Sequence, residues 1–489
     1  MNRKVLLLEP NYSNKYPPMG LMKLATYHRI IGDEVKFYKG DLREFIINEI
    51  YDLSLLKLKD IDENVIWEEY KPVICEYLRT GRIALLNAIS DSTFFSTLAT
   101  DVLRYYRNYH VKKTYYAEKK WDRVCITTLF TFHWKITIDT IEFAKQICND
   151  IKQVWVGGIL ASVVPDDVER ATGVRPWCGQ LDRPGILDDN DLVVENMSLD
   201  YSILDEIEYK YPEANAYYAY MTRGCIRNCD FCVVPLIEPD FVPYITLNHK
   251  IEVTADKYGE QKNLLLLDNN VLASPDFSRI VEEIKSHGFK KGAKYNEPNW
   301  LDIAVKNLID GDNERAYLNR IHDLLIAFLK KLKNSQQQEF YNLLAENNML
   351  KKHTVRKDNV LKIYPVIRDI YEKNRSKIPK SRYVDFNQGI DARLINSDNV
   401  KLLSQLPVYP LRVAFDHWNE REYYEEAITL ASKNGITHMS NYLLYNHDDK
   451  PIELYNRLKL NIDLCEKLKI NIYSFPMKYH PINDPDYFQ

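Results

Sequence analysis

Cysteine and glycine are both scarce in this 489-residue chain, which holds eight cysteines and 16 glycines. So few cysteines exclude a disulfide framework of the secreted kind. The charge is balanced, with 65 Lys and Arg against 69 Asp and Glu, so the chain as a whole has no bias towards nucleic acid or membranes. Its first apolar run, Val5–Leu8, is too short for a signal peptide or a membrane span. We therefore expect a cytoplasmic protein, with two domains plus insertions at this length.

Three of the cysteines nevertheless stand together. Cys225, Cys229 and Cys232 follow a strand-like run with the spacing C-x3-C-x2-C. Thiolates this close repel one another and stay protonated unless they share a partner. A zinc knuckle calls for a fourth Cys or His at short spacing, and none stands nearby; a chance cluster is the other weaker interpretation. An iron–sulfur cluster held by three cysteines leaves one iron open to an external ligand.

The motif, with Phe231 directly before its last cysteine, resembles the signature of radical S-adenosylmethionine (SAM) enzymes. The resemblance implies a [4Fe–4S] cluster on Cys225, Cys229 and Cys232, with SAM bound to the open iron through its amino and carboxylate groups. It further implies reductive cleavage of SAM to methionine and a 5′-deoxyadenosyl radical, and an electron donor such as flavodoxin or ferredoxin. The sequence does not name the substrate.

Alternating strand and helix patterns predict an α/β fold. Residues 1–190 are predicted to form a Rossmann-like open parallel sheet, and 191–215 a linker preceded by a solvated acidic run at 188–191. By resemblance, 216–489 form a partial (β/α)6 radical SAM TIM-type barrel with a helical insertion at about 290–382. The predicted strands are 4–8, 34–38, 123–129, 153–156, 263–268, 383–389, 411–416, 438–445 and 471–475; the main predicted helices are 20–31, 136–149, 275–287, 303–309, 316–333, 336–347 and 451–468.

The amino-terminal part is similar to the cobalamin-binding domains that precede many radical SAM barrels. The resemblance lies in Pro17–Gly20 before a helix and in the strand that ends at Gly157 and Gly158. The two glycines are candidate cofactor-binding residues; the alternative is a tight turn that needs a permissive backbone. The D-x-H-x-x-G motif, whose histidine binds cobalt from below, is absent. His28 and His133 are interpreted as packing or surface residues, and cobalamin binding stays open.

Polar residues end two of the barrel strands and are candidates for binding SAM, because the carboxyl ends of barrel strands face the active-site mouth. The resemblance implies that Asp268 or Asn269 holds the SAM amino group. It also implies that Asn387, Gln388 and Arg393 bind the ribose hydroxyls and the carboxylate. The alternative for Asp268 and Asn269 is a helix cap, which favours Asx residues.

Residues 285–382 carry 21 Lys and Arg against 11 Asp and Glu. A basic helical module contacts nucleic acid in some proteins, but a charge excess of this size is more often a solvated face. We expect either that a longer protein continues beyond residue 489 or that a partner closes the barrel.

Three functions remain open from the sequence. The first is a radical SAM enzyme, with cobalamin-dependent methyl transfer as one outcome. The second is a methylthiotransferase acting on tRNA or protein, a group that the run Cys229–Pro235 also resembles. It would need a second cluster, on Cys75, Cys125 and Cys148, of which the last two read as buried. The third is a non-catalytic iron–sulfur or nucleic-acid-binding module.

Overall fold

A four-stranded parallel sheet organises the amino-terminal part of the chain, with strand order β2-β1-β3-β4. The structure is a computed structural model that describes residues 2–90 and 96–481. The elements of this part are β1 (Lys4–Leu8), α1 (Met19–Ile30), β2 (Glu34–Tyr38), α2 (Leu42–Ile61), α3 (Lys71–Thr80), α4 (Ala84–Ser90), α5 (Ser96–Val111), α6 (Thr114–Ala117), β3 (Arg123–Thr128), α7 (Trp134–Ile147), β4 (Val154–Gly158), α8 (Ile159–Val163) and α9 (Pro165–Thr172).

The sheet is buried on both faces, as its continuous apolar strands require. In β1, Leu6 and Leu8 point to one face and pack with residues of α2, α3, α5 and α7. Val5 and Leu7 point to the other face and pack against Leu21 of α1. β1 lies in the middle of the sheet and pairs in parallel with β2 on one side and with β3 on the other. The predicted open parallel sheet is therefore confirmed.

The carboxyl-terminal part contains two parallel three-stranded sheets, β5-β6-β9 and β10-β11-β12. Two isolated parallel bridges, Val384 with Val408 and Ile390 with Val413, join them. A mixed α/β fold with parallel sheets is thus confirmed, while the complete six-unit barrel stays a prediction. The elements are β5 (Ala216–Ala219), α10 (Val234–Ile237), α11 (Asn248–Tyr258), β6 (Asn263–Leu266), α12 (Phe277–Ser286), β9 (Val384–Phe386), α17 (Ser397–Leu403), β10 (Leu411–Ala414), α18 (Arg421–Lys433), β11 (His438–Tyr445), α19 (Pro451–Leu468) and β12 (Asn471–Lys478).

The segment between α12 and β9 is helical and has its own hydrophobic core, which includes Leu308, Leu325 and Ile367. One helix, α16, was not predicted, because Pro365 interrupts its pattern from within and proline normally ends a helix. No helix in 2–90 or 96–481 is long and apolar enough to cross a membrane. The elements are β7 (Lys294–Tyr295), α13 (Trp300–Ile309), α14 (Glu314–Leu329), α15 (Asn334–Glu346), α16 (Lys357–Asn374) and β8 (Lys380–Ser381).

The connecting segment is tied to the rest of the protein at two places. In the acidic run, Asp189 and Asp191 are exposed as expected, but Asp188 accepts hydrogen bonds from Arg3 at 2.6 Å and from Arg123 at 2.8 Å. These guanidinium groups hold the pKa of Asp188 well below its ordinary value against the opposing effect of burial. In the following segment, Tyr201 and Ile203 are core residues, and the assignment of 191–215 as a linker stays a prediction. Here a charged network and apolar packing fix the chain that sequence alone assigns to a linker.

Candidate active site

The three cysteines lie in the loop that leaves the carboxyl end of β5 and leads into α10. All three are half-buried free thiols. The backbone amide of Cys232 donates to the carbonyl of Cys229 at 2.9 Å, which closes a turn between them. Burial raises the pKa of Cys229, and the nearby thiols of Cys232 and Cys225 raise it further. The loop therefore brings the Cys225 and Cys232 sulfurs close enough to Cys229 to affect its pKa.

Hydrogen-bond donors point at two of these sulfurs. The backbone amide of Arg227 lies 3.4 Å from the Sγ atom of Cys225, and the Nδ2 atom of Asn270 lies at the same distance from it. The backbone amide of Val234 lies 3.5 Å from the Sγ atom of Cys232. Donors to sulfur stabilise thiolate charge and adjust the potential of an iron–sulfur cluster. The surroundings of the loop therefore fit anionic sulfur ligands.

The arrangement does not fit a single metal ion. Within 2–90 and 96–481, no group of three or more His, Cys, Asp or Glu side chains is arranged to hold one. A tetrahedral zinc ion with Zn–S bonds of about 2.3 Å would draw its ligand sulfurs to within about 4 Å of each other. In an iron–sulfur cluster the cysteines bind different irons, so the ligand sulfurs lie further apart. The choice of a cluster over a zinc knuckle therefore rests on the motif, which offers no fourth Cys or His at short spacing.

The loop that carries the three cysteines, residues 220–233, is called the cluster loop here. A buried carboxylate and a glycine fix the backbone at its amino-terminal end, the base of the loop. Glu238 forms an ion pair with Arg223 and accepts a hydrogen bond from the Gly224 amide at 2.9 Å. Gly224 has a φ of +68°, and a Cβ atom at this position would lie 2.3 Å from the carbonyl oxygen of Asp240. Any side chain at this position would therefore displace the return strand of the loop. A backbone bridge between Arg223 and Val242 closes the same base.

Asp268 lies behind the cluster loop. Its Oδ1 atom accepts hydrogen bonds from the Met221 amide at 2.9 Å, from the Thr222 amide and from the Thr222 hydroxyl at 2.7 Å. Burial raises the pKa of Asp268 to about 6, although the Thr222 donors oppose the shift. Asp268 thereby holds the end of β5 in position. Its binding of the SAM amino group stays a prediction.

Asp268 should make the stability of the chain depend on pH. A carboxyl group whose folded pKa is raised to about 6 stabilises the fold in its protonated form, so this contribution is lost as pH rises from about 4 to 6. We expect Asp268→Asn to lose less stability than the unchanged chain over this range, with a difference of up to about 3 kcal/mol. Urea unfolding at pH 4.5 and pH 7 measures it. The exposed Asp256→Asn is the control, and an equal pH dependence in Asp268→Asn and the unchanged chain would contradict the assignment.

Asn269 and Arg393 are both engaged by neighbouring carboxylates. The Nδ2 atom of Asn269 donates to Glu238 at 2.6 Å, so it braces the base of the cluster loop. Arg393 donates to Asp391 at 2.8 Å, and Asp391 also accepts from Arg227 of the cluster loop at 3.0 Å. The two side chains therefore lie beside the cluster loop, and their contact with SAM stays a prediction.

Asn387 connects the two halves of the protein. Its Oδ1 atom accepts a hydrogen bond from the Tyr16 hydroxyl at 2.8 Å, and its carbonyl accepts one from Tyr442 at 2.9 Å. Tyr16 belongs to the loop between β1 and α1, 371 residues away in sequence. Gln388 is exposed, and its side chain has no hydrogen-bond partner in the described part of the chain. At the end of β9, the Asn387 side chain is therefore held by Tyr16, whereas the Gln388 side chain is free to bind a ligand.

Phe231 belongs to a group of rings at the mouth of the site. Its ring centroid lies 5.9 Å from His417 and 5.4 Å from His447, which lies 4.6 Å from Tyr479. His417 and Tyr479 are not among the residues predicted for the site, although they follow β10 by three residues and β12 by one. Position after a barrel strand is the signal that finds them.

A buried ion pair crosses from β9 to β10. Arg412 binds Asp385 through two hydrogen bonds of 2.8 Å each, and both side chains are almost fully buried. The polar strand at 383–389 reads in sequence as ligand-facing. The two charged residues instead neutralise each other, so Asp385 has its partner within the protein.

The carboxyl edge of the amino-terminal sheet lies next to the cluster loop, because α8 packs against α10. Gly158 has a φ of +107°, and a Cβ atom there would lie 2.2 Å from the Thr128 carbonyl oxygen. Close approach of β4 to β3 therefore requires this glycine whether or not a ligand binds. Gly157 precedes it, and a Cβ atom there would meet only one carbonyl oxygen, at 3.9 Å. A cofactor role for either glycine stays a prediction.

The same edge exposes aromatic and aliphatic side chains. Phe130 and Phe132 are 46% and 75% exposed, and their rings stack with centroids 5.2 Å apart. Ile159 at the start of α8 is also exposed. Such a surface, bordered by glycine backbone, suits a flat and largely apolar ligand.

Neither a scan against protein-family models nor a search of curated proteins found a match. Among solved structures, the radical SAM methyltransferase TsrM from Kitasatospora setae, with cobalamin and a [4Fe–4S] cluster bound, aligns with a TM-score of 0.45 and 13% identity. The alignment covers 98% of this chain and 75% of that one. TsrM with tryptophan substrate and the SAM analog aza-SAM aligns with a TM-score of 0.44 and 12% identity, over 97% and 73%. Because both TM-scores lie below 0.5, the function proposed below rests on the site itself.

Proposed function

We propose that the protein is a radical SAM enzyme whose [4Fe–4S] cluster is held by Cys225, Cys229 and Cys232. The observation that carries the proposal is the cluster loop, in which three half-buried free thiols stand together and two of them, Cys225 and Cys232, receive backbone N–H donors. A cluster with three cysteine ligands keeps one iron open. With SAM at that iron, the cofactors supply one-electron cleavage of SAM and hence radical chemistry.

The chain's own residues orient the cofactors and exclude water. Glu238 and Gly224 fix the base of the cluster loop, and Asp268 fixes the strand that precedes it. Asn387 and Gln388 are the residues proposed to hydrogen-bond SAM, and the Phe231 ring group limits access of water to the mouth. Exclusion of water protects a reactive radical from side reactions.

Cobalamin is proposed as a further cofactor at the carboxyl edge of the amino-terminal sheet. The exposed Phe130, Phe132 and Ile159 and the bare backbone of Gly157 fit the broad apolar face of a corrin. Packing of α8 on α10 brings this edge close to the cluster loop. When bound, cobalamin supplies methyl transfer, so we propose methylation of an unreactive carbon as the net reaction. The substrate and an electron donor such as flavodoxin or ferredoxin complete the system.

Anaerobic reconstitution tests the proposal. We expect about four irons per chain, SAM cleavage to 5′-deoxyadenosine with dithionite, and a corrin absorption band that stays with the protein through gel filtration. Iron incorporation without SAM cleavage would instead favour a non-catalytic module. SAM cleavage without a retained corrin would favour cobalamin-independent hydrogen abstraction.

Tyr16→Phe tests the role of Asn387 in SAM binding. The substitution removes one neutral hydrogen bond, worth about 0.5–1.5 kcal/mol, and leaves the Asn387 amide free to rotate. We expect the Kd for SAM to rise about 2- to 10-fold with little change in cluster content, measured by equilibrium dialysis. Tyr105→Phe, at an exposed position, is the control. An unchanged Kd would separate Asn387 from the SAM site.

The methylthiotransferase alternative has less support. Cys125 and Cys148 lie in hydrophobic cores on opposite faces of the amino-terminal sheet, and Cys75 lies on α3. Burial raises the pKa of Cys125 to about 12, which disfavours a thiolate ligand. Reconstitution to about eight irons per chain would favour this alternative.

Nucleic acid remains a proposed partner only through the basic helical insertion. Several of its basic groups bind carboxylates elsewhere in the chain: Arg320 pairs with Asp205, and Arg356 pairs with Glu68. These pairs anchor the insertion to the rest of the protein. A salt-dependent shift of labelled tRNA in gel electrophoresis would support the nucleic-acid role.

A further inference from the structure

Two aromatic rings form a rigid stack where β1 and β3 end. Tyr12, four residues after β1, stacks face to face on His133, with centroids 4.5 Å apart and planes within 14°. The Lys39 Nζ atom also lies over the Tyr12 ring, 5.2 Å from its centroid. We call these residues the Lys39–Tyr12–His133 column.

The foot of the column is buried and fully bonded. The Lys39 side chain has no exposed surface and donates to the Oδ1 atom of Asn14 at 2.7 Å. It also pairs with the buried Glu9 carboxylate at 3.3 Å. Tyr209 and Tyr211 enclose the same ammonium group, with ring centroids at 4.0 and 4.9 Å. These contacts leave Lys39, and therefore Tyr12 above it, little freedom to move.

The imidazole at the head of the column is not used by the protein. His133 is half-buried, and neither ring nitrogen has a hydrogen-bond partner within 2–90 and 96–481. The buried His28, in contrast, bonds Asp33 at 2.8 Å, and His322 bonds Asp323 at 3.1 Å. Ring stacking orients His133 without engaging its nitrogen lone pair, so the imidazole stays available to a ligand.

The column stands at the position where a ligand enters a sheet of this topology. The chain passes from β1 to β2 on one side and to β3 on the other, and ligands bind in the crevice off the carboxyl ends at such a switch point. Tyr12 and His133 follow the two strands that flank this crevice. The exposed Phe132 ring lies 4.5 Å from the imidazole and extends the apolar surface around it.

We infer that His133 is the protein's nitrogen ligand to the cobalt of cobalamin, with the Lys39–Tyr12–His133 column as the device that orients it. The inference rests on the cobalamin part of the proposed function. Imidazole nitrogen is a common ligand of transition metals. Ligation would need no redox step, because the imidazole nitrogen would replace another lone-pair donor at the cobalt. The role that D-x-H-x-x-G histidines serve would thus come from the loop after β3.

Electron paramagnetic resonance of the cob(II)alamin-loaded, unsubstituted chain tests the inference. Coupling of cobalt(II) to one axial nitrogen splits each line into a triplet, and growth with 15N-histidine is expected to convert the triplets into doublets. His133→Ala is expected to abolish the nitrogen splitting while the corrin stays bound. His249→Ala, at an exposed position on α11, is expected to leave the spectrum unchanged.

The other outcomes are equally decisive. Triplets that survive 15N-histidine labelling identify the cofactor's own base as the ligand and overturn the inference, as does a spectrum without nitrogen splitting. Both leave the proposed function standing. Loss of the corrin from the unsubstituted chain overturns the inference together with the cobalamin part of the function. Since the labelling uses the unsubstituted chain, a folding defect in His133→Ala does not affect the result.

Discussion

Replacing Cys229 by serine is expected to abolish SAM cleavage. Cys229 occupies the middle of the C-x3-C-x2-C motif, and a serine hydroxyl at this position is a poor ligand for iron. Loss of an outer-shell partner alone lowers metal affinity or activity about 10- to 100-fold, so loss of a ligand should exceed 100-fold. Iron content, the visible absorption of the cluster and 5′-deoxyadenosine formation measure the effect after anaerobic reconstitution.

Cys465→Ser is the matched control for this substitution. Cys465 is also a half-buried free thiol, but it lies on α19. We expect this variant to retain full iron content and SAM cleavage. Equal losses of activity in the two variants would mean that cysteine replacement acts through folding. Full SAM cleavage by Cys229→Ser would contradict the assignment of Cys229 as a cluster ligand.

Removing Asp385 should produce the largest loss of stability. Its carboxylate and the Arg412 guanidinium are almost fully buried and joined by two hydrogen bonds of 2.8 Å. Asp385→Ala leaves the arginine charge buried without its partner, which typically costs about 3–5 kcal/mol. Urea unfolding of the purified variant gives the change in free energy.

Two comparisons separate charge burial from general disruption. The pair Lys459–Asp463 is more than half exposed at both side chains, so Asp463→Ala should cost less than about 1 kcal/mol. Replacing both buried partners, as Asp385→Leu with Arg412→Met, should recover much of the loss because no unpaired charge remains. A double variant as unstable as Asp385→Ala would show that the packing, and not the charge, dominates.

Regular elements of this chain are visible in its sequence because their signals are local. The apolar run at 4–8 and the periodic pattern at 451–468 coincide with β1 and α19. Helix α16 is not predicted because Pro365, a residue that normally ends a helix, lies inside it. Local patterns do not find every element, however: α11, α17 and α18 contain no proline and are not among the predicted helices, and β9 is shorter than the predicted strand 383–389.

The surroundings of the site depend on pairs that no local pattern contains. Tyr16 and Asn387 meet across 371 residues, and Arg123 finds Asp188 across 65. Asp268 follows a strand as expected, yet its carboxylate turns towards Thr222 behind the loop. Sequence spacing thus indicates which residues stand at the ends of strands, whereas their partners are set by how the two sheets pack.

One hydrophobic core spans what the sequence divides into two domains. Val5 and Leu7 of the first sheet, Tyr201 of the connecting segment, Tyr218 of β5 and Leu265 of β6 pack in the same cluster. Cutting the chain near residue 190 would bare this apolar surface on both fragments, and each would tend to aggregate. A chimaera that replaces the first sheet with that of another protein would therefore also need matching core residues on β5 and β6. Substitutions on one side of this core thus have to be compatible with the residues on the other side.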